Sequence, residues 1–92
     1  MNDEEYRGPA TIRIGEHRHA VQIRMSARFE PIEGRFRWAG RTGPDPSLHE
    51  QVTRGLREAE LAVTSDARVR LSEPDPWGGV RLDGTGTPPW FR

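Results

Sequence analysis

The chain contains no cysteine and no lysine. Without cysteine there are no disulfides, no thiolate nucleophile and no thiolate metal centre, which fits a reducing, cytoplasmic setting. With arginine as the only long basic side chain, a Schiff-base lysine, a phosphate-loop lysine and a lysine general base are excluded. Long apolar runs are also missing: nothing approaches the ~20 residues that a membrane span needs. The acidic start Met1-Asn2-Asp3-Glu4-Glu5 does not read as a secretory signal. A cytoplasmic protein is expected. Formal net charge is zero, so there is no overall bias toward nucleic acid or anionic membrane. No Gly-x-Ser-x-Gly elbow and no glycine-rich phosphate loop leads into a helix; Gly84-Thr85-Gly86 is too short and follows a strand.

What remains is a chain of 92 residues, read as one domain over 1–92 with residues 1–5 frayed. A chain of this size buries roughly 60% of its unfolded surface. That favours a small pocket, an open groove or a site shared across a dimer over a deep internal active site.

Alternation dominates the first half. Ala10, Ile12 and Ile14 mark a half-buried strand, and Gly15-Glu16-His17-Arg18 a turn. From His19 to Glu30, Val21, Ile23, Met25, Ala27 and Phe29 share one face and Gln22, Arg24, Ser26, Arg28 and Glu30 the other. After Pro31–Gly34 comes a third strand, Arg35–Arg41, with Phe36 and Trp38 inward. Register arithmetic pairs Glu30 with Arg35, Phe29 with Phe36, Ala27 with Trp38 and Met25 with Gly40, so inward meets inward and large meets small. In the first hairpin the same test pairs Ile14 with His19, Ile12 with Val21 and Ala10 with Ile23.

Asp45-Pro46-Ser47 opens a short amphipathic helix, with Asp45 or Ser47 as N-cap and Leu48, Val52 and Leu56 on its apolar stripe. Ala59–Val63 and Ala67–Leu71 form a further hairpin. A three-residue turn, Thr64-Ser65-Asp66, pairs Leu61 with Val69 and Val63 with Ala67 and places Asp66 in a left-handed conformation. Val80–Gly84 is a last short strand. The expected fold is α+β and mainly antiparallel: a strongly curved six-stranded sheet or partial barrel, in the order β-β-β-α-β-β-β, with one short helix. One helix cannot cover an apolar face carrying Ile12, Ile23, Met25, Phe29, Phe36, Trp38, Val69 and Val80, so a homodimer is expected.

The residues able to carry chemistry are few. Asp75, His19 and Glu30 are the weak catalytic candidates, with Asp45 and His49 as further acid–base groups. His17 and His19 would point the same way on a strand, but only His49 could supply a third ligand, so no metal is assigned. Arg28 opposite Arg37 and Arg24 opposite Arg41 set like charges side by side. Either acids such as Glu30, Glu60 or Asp83 neutralise them, or they form a cleft for a carboxylate or phosphate. Trp38, Trp77 and Trp90, with Arg24 and Arg41, form the expected ligand-binding set: aromatic walls around an apolar groove with an arginine to read an acidic group, and Asp75 at its rim.

Three segments together resemble a known family. They are Tyr6-Arg7-Gly8-Pro9-Ala10, then Phe29-Glu30-Pro31-Ile32-Glu33-Gly34-Arg35-Phe36-Arg37-Trp38-Ala39-Gly40-Arg41, and finally Asp75-Pro76-Trp77-Gly78 with Gly84-Thr85-Gly86-Thr87-Pro88-Pro89. The pattern is similar to actinobacterial domain-of-unknown-function family 4873. Members occur as small stand-alone proteins and C-terminal to flavin-dependent monooxygenases and other oxidoreductases. The resemblance implies a place in oxidative or natural-product metabolism of a GC-rich bacterium, and it supplies no catalytic residues. Three functions are expected to compete. One is an accessory or binding module, holding a hydrophobic small molecule or docking on a flavin-dependent oxidoreductase, with no cofactor of its own. The second is a small cofactor-free enzyme, a cyclase or isomerase. The third is a structural oligomerisation domain.

Overall fold

In the computed structural model, which describes residues 3–92, alternation along six strands closes an antiparallel sheet on itself. In chain order the elements are β1 (Asp3–Ile14), β2 (His17–Glu30), β3 (Arg35–Thr42), α1 (Pro46–Thr53), β4 (Glu58–Ala62), β5 (Asp66–Ser72) and β6 (Arg81–Thr85). Around the barrel they run β1-β2-β3-β6-β5-β4, and β4 returns to β1 through Thr11–Ala62, Ile12–Leu61 and Arg13–Glu60. The α+β architecture and element order are those read from the sequence, with the curvature carried to full closure. Closure leaves no edge strand to be covered. No helix of the described residues is long and apolar enough to cross a membrane.

The two-residue period explains the core. On β2, Val21, Ile23, Met25 and Ala27 are buried, while Gln22, Arg24, Ser26 and Arg28 between them are exposed. Ile12, Leu61, Leu71, Val80 and Leu82 have no exposed surface. Of the eight apolar residues expected to need a second copy, only Phe29 and Phe36 are not fully buried. A barrel hides within one chain the face for which a dimer was invoked.

The β2–β3 register is the one expected, including Ala27–Trp38 and Phe29–Phe36. Two other hairpins differ by two residues. β1 and β2 join through Gly15-Glu16 alone, so Ile14 faces His17, Ile12 faces His19 and Ala10 faces Val21. His17 and Arg18 therefore belong to the strand and not to the turn. Gly15, at φ 60°, supplies the left-handed residue that a two-residue hairpin turn requires. In β4–β5, Leu61 faces Ala67 and Ala59 faces Val69. The turn is Val63-Thr64-Ser65; Asp66 lies in the strand and Glu73, at φ 47°, is the one non-glycine residue with positive φ among the described residues. Finally, β1 starts at Asp3, so Asp3, Glu4 and Glu5 are paired strand where fraying was expected. Met1 and Asn2 of that segment lie outside the described residues.

Two non-strand pieces stopper the barrel. At one end is α1, whose buried Leu48 and Val52 face inward. Asp45 is its N-cap, accepting from the Leu48 N–H at 3.0 Å, with Pro46 in the first turn. At the other end the segment after β6 folds back. The Gly86 N–H donates to the Phe36 carbonyl, and the Thr64 and Ser65 N–H groups both donate to the Pro89 carbonyl. Pro88 and Pro89 are fully buried there.

Candidate functional site

The tail end of the barrel carries an aromatic groove. Phe36, at the start of β3, meets Phe29 edge-on at 5.3 Å and Phe91 at 5.1 Å. Phe91 meets Trp90 at 6.3 Å; Trp90 stacks on Tyr6 at 6.0 Å and meets buried Trp38 edge-on at 6.0 Å. These edge-to-face spacings are the favourable ones for aromatic quadrupoles. The outer rings and Pro31 wall an open groove of about 1030 Å³, with Glu4, Arg28, Glu30 and Arg92 at its margin. Arg28 pairs with Glu30 at 3.3 Å. Phe29 is 49% exposed. The indole N–H groups of Trp38 and Trp90 are buried and have no acceptor among the described residues. A buried donor left unpaired costs on the order of 1–3 kcal/mol.

The helix end of the barrel holds most of the remaining polar candidates. Asp75 organises the turn before β6: its carboxylate accepts from the Trp77 and Gly79 N–H groups, both at 2.9 Å, and lies 3.3 Å from the Arg41 guanidinium. The Gly79 N–H first, then the Trp77 N–H and the charges of Arg41 and His49, hold its carboxyl below the usual carboxylate range against the opposing pull of desolvation. His49 Nε2 is 2.8 Å from the Asp75 carbonyl. His19 Nδ1 is 3.5 Å from the Asp45 carboxylate, with Gln51 on its other nitrogen. Each of these groups has at least one polar contact that ties together the helix end of the barrel. Among the described residues no three His, Asp or Glu side chains converge to hold a metal.

The sequence-derived ligand set does not assemble as one groove. Trp38 is 2% exposed inside the barrel and Trp77 is 79% exposed. Trp77 belongs to the turn whose Gly78 carbonyl accepts from the Asp45 N–H, beyond the far end of β3 from Phe36. Arg24 and Arg41 face each other on the outer surface, away from Trp90. Trp38 and Trp90 do meet. Of the three catalytic candidates only Glu30 borders the aromatic groove. Among the expected neutralising acids, Glu30 pairs with Arg28, but Glu60 is partnered with Arg13 and Asp83 with Arg81, and Arg37 is held by Glu33 at 2.9 Å. Phe91 and Arg7 escaped the sequence reading. Phe91 is signalled by the rigid Pro88-Pro89 step before it. Arg7 becomes visible once the first hairpin is set to its two-residue turn, which brings it opposite Arg24.

Comparison with known proteins places this geometry in a lineage. The chain is 33% identical over 92 residues to an uncharacterized protein of Mycobacterium tuberculosis and to one of Mycobacterium bovis. The match takes in 99% of the chain but 26% of either relative, so the chain spans about a quarter of the length of the curated relatives it matches. No solved structure matches it. A family model, the domain of unknown function DUF4873, matches residues 3–91, and the chain belongs to that family.

Proposed function

We propose that the domain is a binding module that holds a flat, apolar small molecule carrying a hydrogen-bond acceptor, with the groove of Phe29, Phe36, Trp90 and Phe91 as its seat. One observation carries this reading: the rings of Phe29, Phe36, Trp90 and Phe91 wall an open groove on which Phe29 is 49% exposed, with Arg28 and Arg92 at its margin. Ligand pockets in general combine apolar walls with a few placed polar groups, at volumes of about 300–1,000 Å³. The ligand's ring system would cover the exposed edge of Phe29, and its carbonyl or carboxylate oxygen would meet Arg28 or Arg92 at the margin. Riboflavin and anthraquinone-2-carboxylate are suitable probes, with tryptophan fluorescence as readout. Saturable quenching is expected, weakened about tenfold or more by Phe91→Ala, which removes roughly 1.4 kcal/mol or more of contact, and unchanged by Trp77→Ala. No response to either probe refutes the reading.

A second reading has its own support. Trp77 is pinned outward by the Asp75 turn and is 79% exposed, and rigidly presented tryptophans are the commonest anchors of protein interfaces. In relatives about four times as long, such an anchor would dock the domain on the rest of the polypeptide or on a partner oxidoreductase. Capture of a purified flavin-dependent oxidoreductase by the immobilised domain tests it. Loss of capture in Trp77→Ala supports docking, and unchanged capture removes Trp77 from it.

A further inference from the structure

A row of four arginines crosses the outer face of the barrel. Arg7 on β1 lies opposite Arg24 on β2, Arg24 opposite Arg41 on β3, and Arg41 opposite Arg81 on β6. Neighbouring strands are about 4.8 Å apart, so the row sets like charges side by side three times over. Directly opposed like charges destabilise a sheet. One half of the row is relieved: Arg41 pairs with Glu73 and Asp75, and Arg81 with Glu73 and Asp83. The other half is not. Among the described residues neither Arg7 nor Arg24 has a carboxylate within ion-pair distance, and the next acid on that face, Glu5, stands opposite neutral Ser26.

The same place is hollow. Arg7, Gln22, Arg24 and Arg41 border a cleft of about 540 Å³ whose floor includes Gly40 and Gly43. Gly40 cannot be another residue, because a Cβ there would overlap the Arg24 carbonyl and the Met25 main chain. Its absence lets β2 and β3 close up beneath the arginines. The cleft therefore combines two unneutralised guanidinium forks, neutral hydrogen-bonding groups beside them and a shallow base. It lies on the outer face, distinct from the aromatic groove and from any residue assigned to it.

We propose that Arg7 and Arg24 form an oxyanion site that takes a dianionic phosphoryl group, with Arg41 at its border. A phosphoryl group offers three acceptor oxygens and about two negative charges. It can receive a fork from each strand and neutralise both, whereas one carboxylate matches one fork. An empty site keeps the repulsion between the two arginines, and an occupied one converts it into shared attraction.

Thermal unfolding of the intact protein in inorganic phosphate, succinate and chloride at equal ionic strength tests this. Phosphate at about ten times its dissociation constant should raise Tm by roughly 5–10 °C over chloride, and succinate should raise it less. Arg24→Gln should raise Tm in chloride, by removing the like-charge contact, and erase the phosphate increment; Arg7→Gln should do the same. Arg54→Gln, at the exposed C-cap of α1 beside Glu50, should keep the increment. Amide shifts of residues 7, 24 and 40 on phosphate titration give a reading that does not depend on stability. A Tm equal in chloride and phosphate, a phosphate increment that survives Arg24→Gln, or a larger increment in succinate overturns the proposal.

Discussion

Gly84 on β6 lies opposite Trp38 on β3, and the Trp38 indole occupies the space that a side chain at position 84 would need. The tryptophan can cross the barrel interior because its cross-strand neighbour has no Cβ. Gly84→Ala is expected to destabilise the protein by about 1–3 kcal/mol through overpacking. Shrinking the ring should recover part of the loss, so Trp38→Phe/Gly84→Ala should be more stable than the sum of the single changes predicts. Urea unfolding of the four proteins checks this. Strictly additive costs would show that the two residues do not compete for the same volume.

The Asp75 turn makes a pH-dependent contribution. Its carboxyl is held below the ordinary value chiefly by the Gly79 and Trp77 N–H groups. A depressed folded-state value means that the carboxylate stabilises the fold above the unfolded value of about 3.9. That stability is lost as pH falls through the lower folded value. Asp75→Asn should be less stable than the parent at pH 7, and the gap should narrow below about pH 4. Measuring the urea midpoint across that range for both proteins decides it. A gap independent of pH would show that the amide serves the turn as well as the charge does.

The tail stopper depends on Trp90. It is wedged between Tyr6 and Trp38 while Pro89 accepts from two N–H groups of the β4–β5 turn. Trp90→Ala is expected to cost about 2–4 kcal/mol, below or at the low end for a fully buried tryptophan because the side chain is only partly covered. It should also speed amide exchange at Thr64, Ser65 and Gly86. Exchange unchanged at those three amides would show that the prolines alone seal the end.

Much of this architecture could be read from residues, and the failures have one cause. In β2–β3, the aromatic pair Phe29–Phe36 and the small-to-large match Ala27–Trp38 point to one register, and that register is present. In β1–β2 and β4–β5 the expected registers were two residues off. A shift of two keeps every side chain on its own face, so alternation cannot detect it; turn geometry at Gly15 decides instead. The slip was not harmless. It set Pro9 opposite Arg24 and hid Arg7, and with it half of the arginine row. Barrel closure through Ile12–Leu61 joins residues far apart in the chain, and no local pattern announces it. The aromatic site was half legible for a similar reason. Trp38 and Trp90 were grouped with Trp77 by chemistry alone, and only the direction of β3 tells which end each occupies.

Glu4, near the start of the described chain, and Arg92, its last residue, both border the aromatic groove. The two ends of the described chain thus lie at one rim of the barrel, opposite the helix. A polypeptide joined close to either described end would start from that rim, apart from the closure of β1 on β4 at Thr11–Arg13. A host protein could append this barrel by either terminus and obtain the same outcome: the mouth of the groove turned toward the junction, where a neighbour can share whatever it contains.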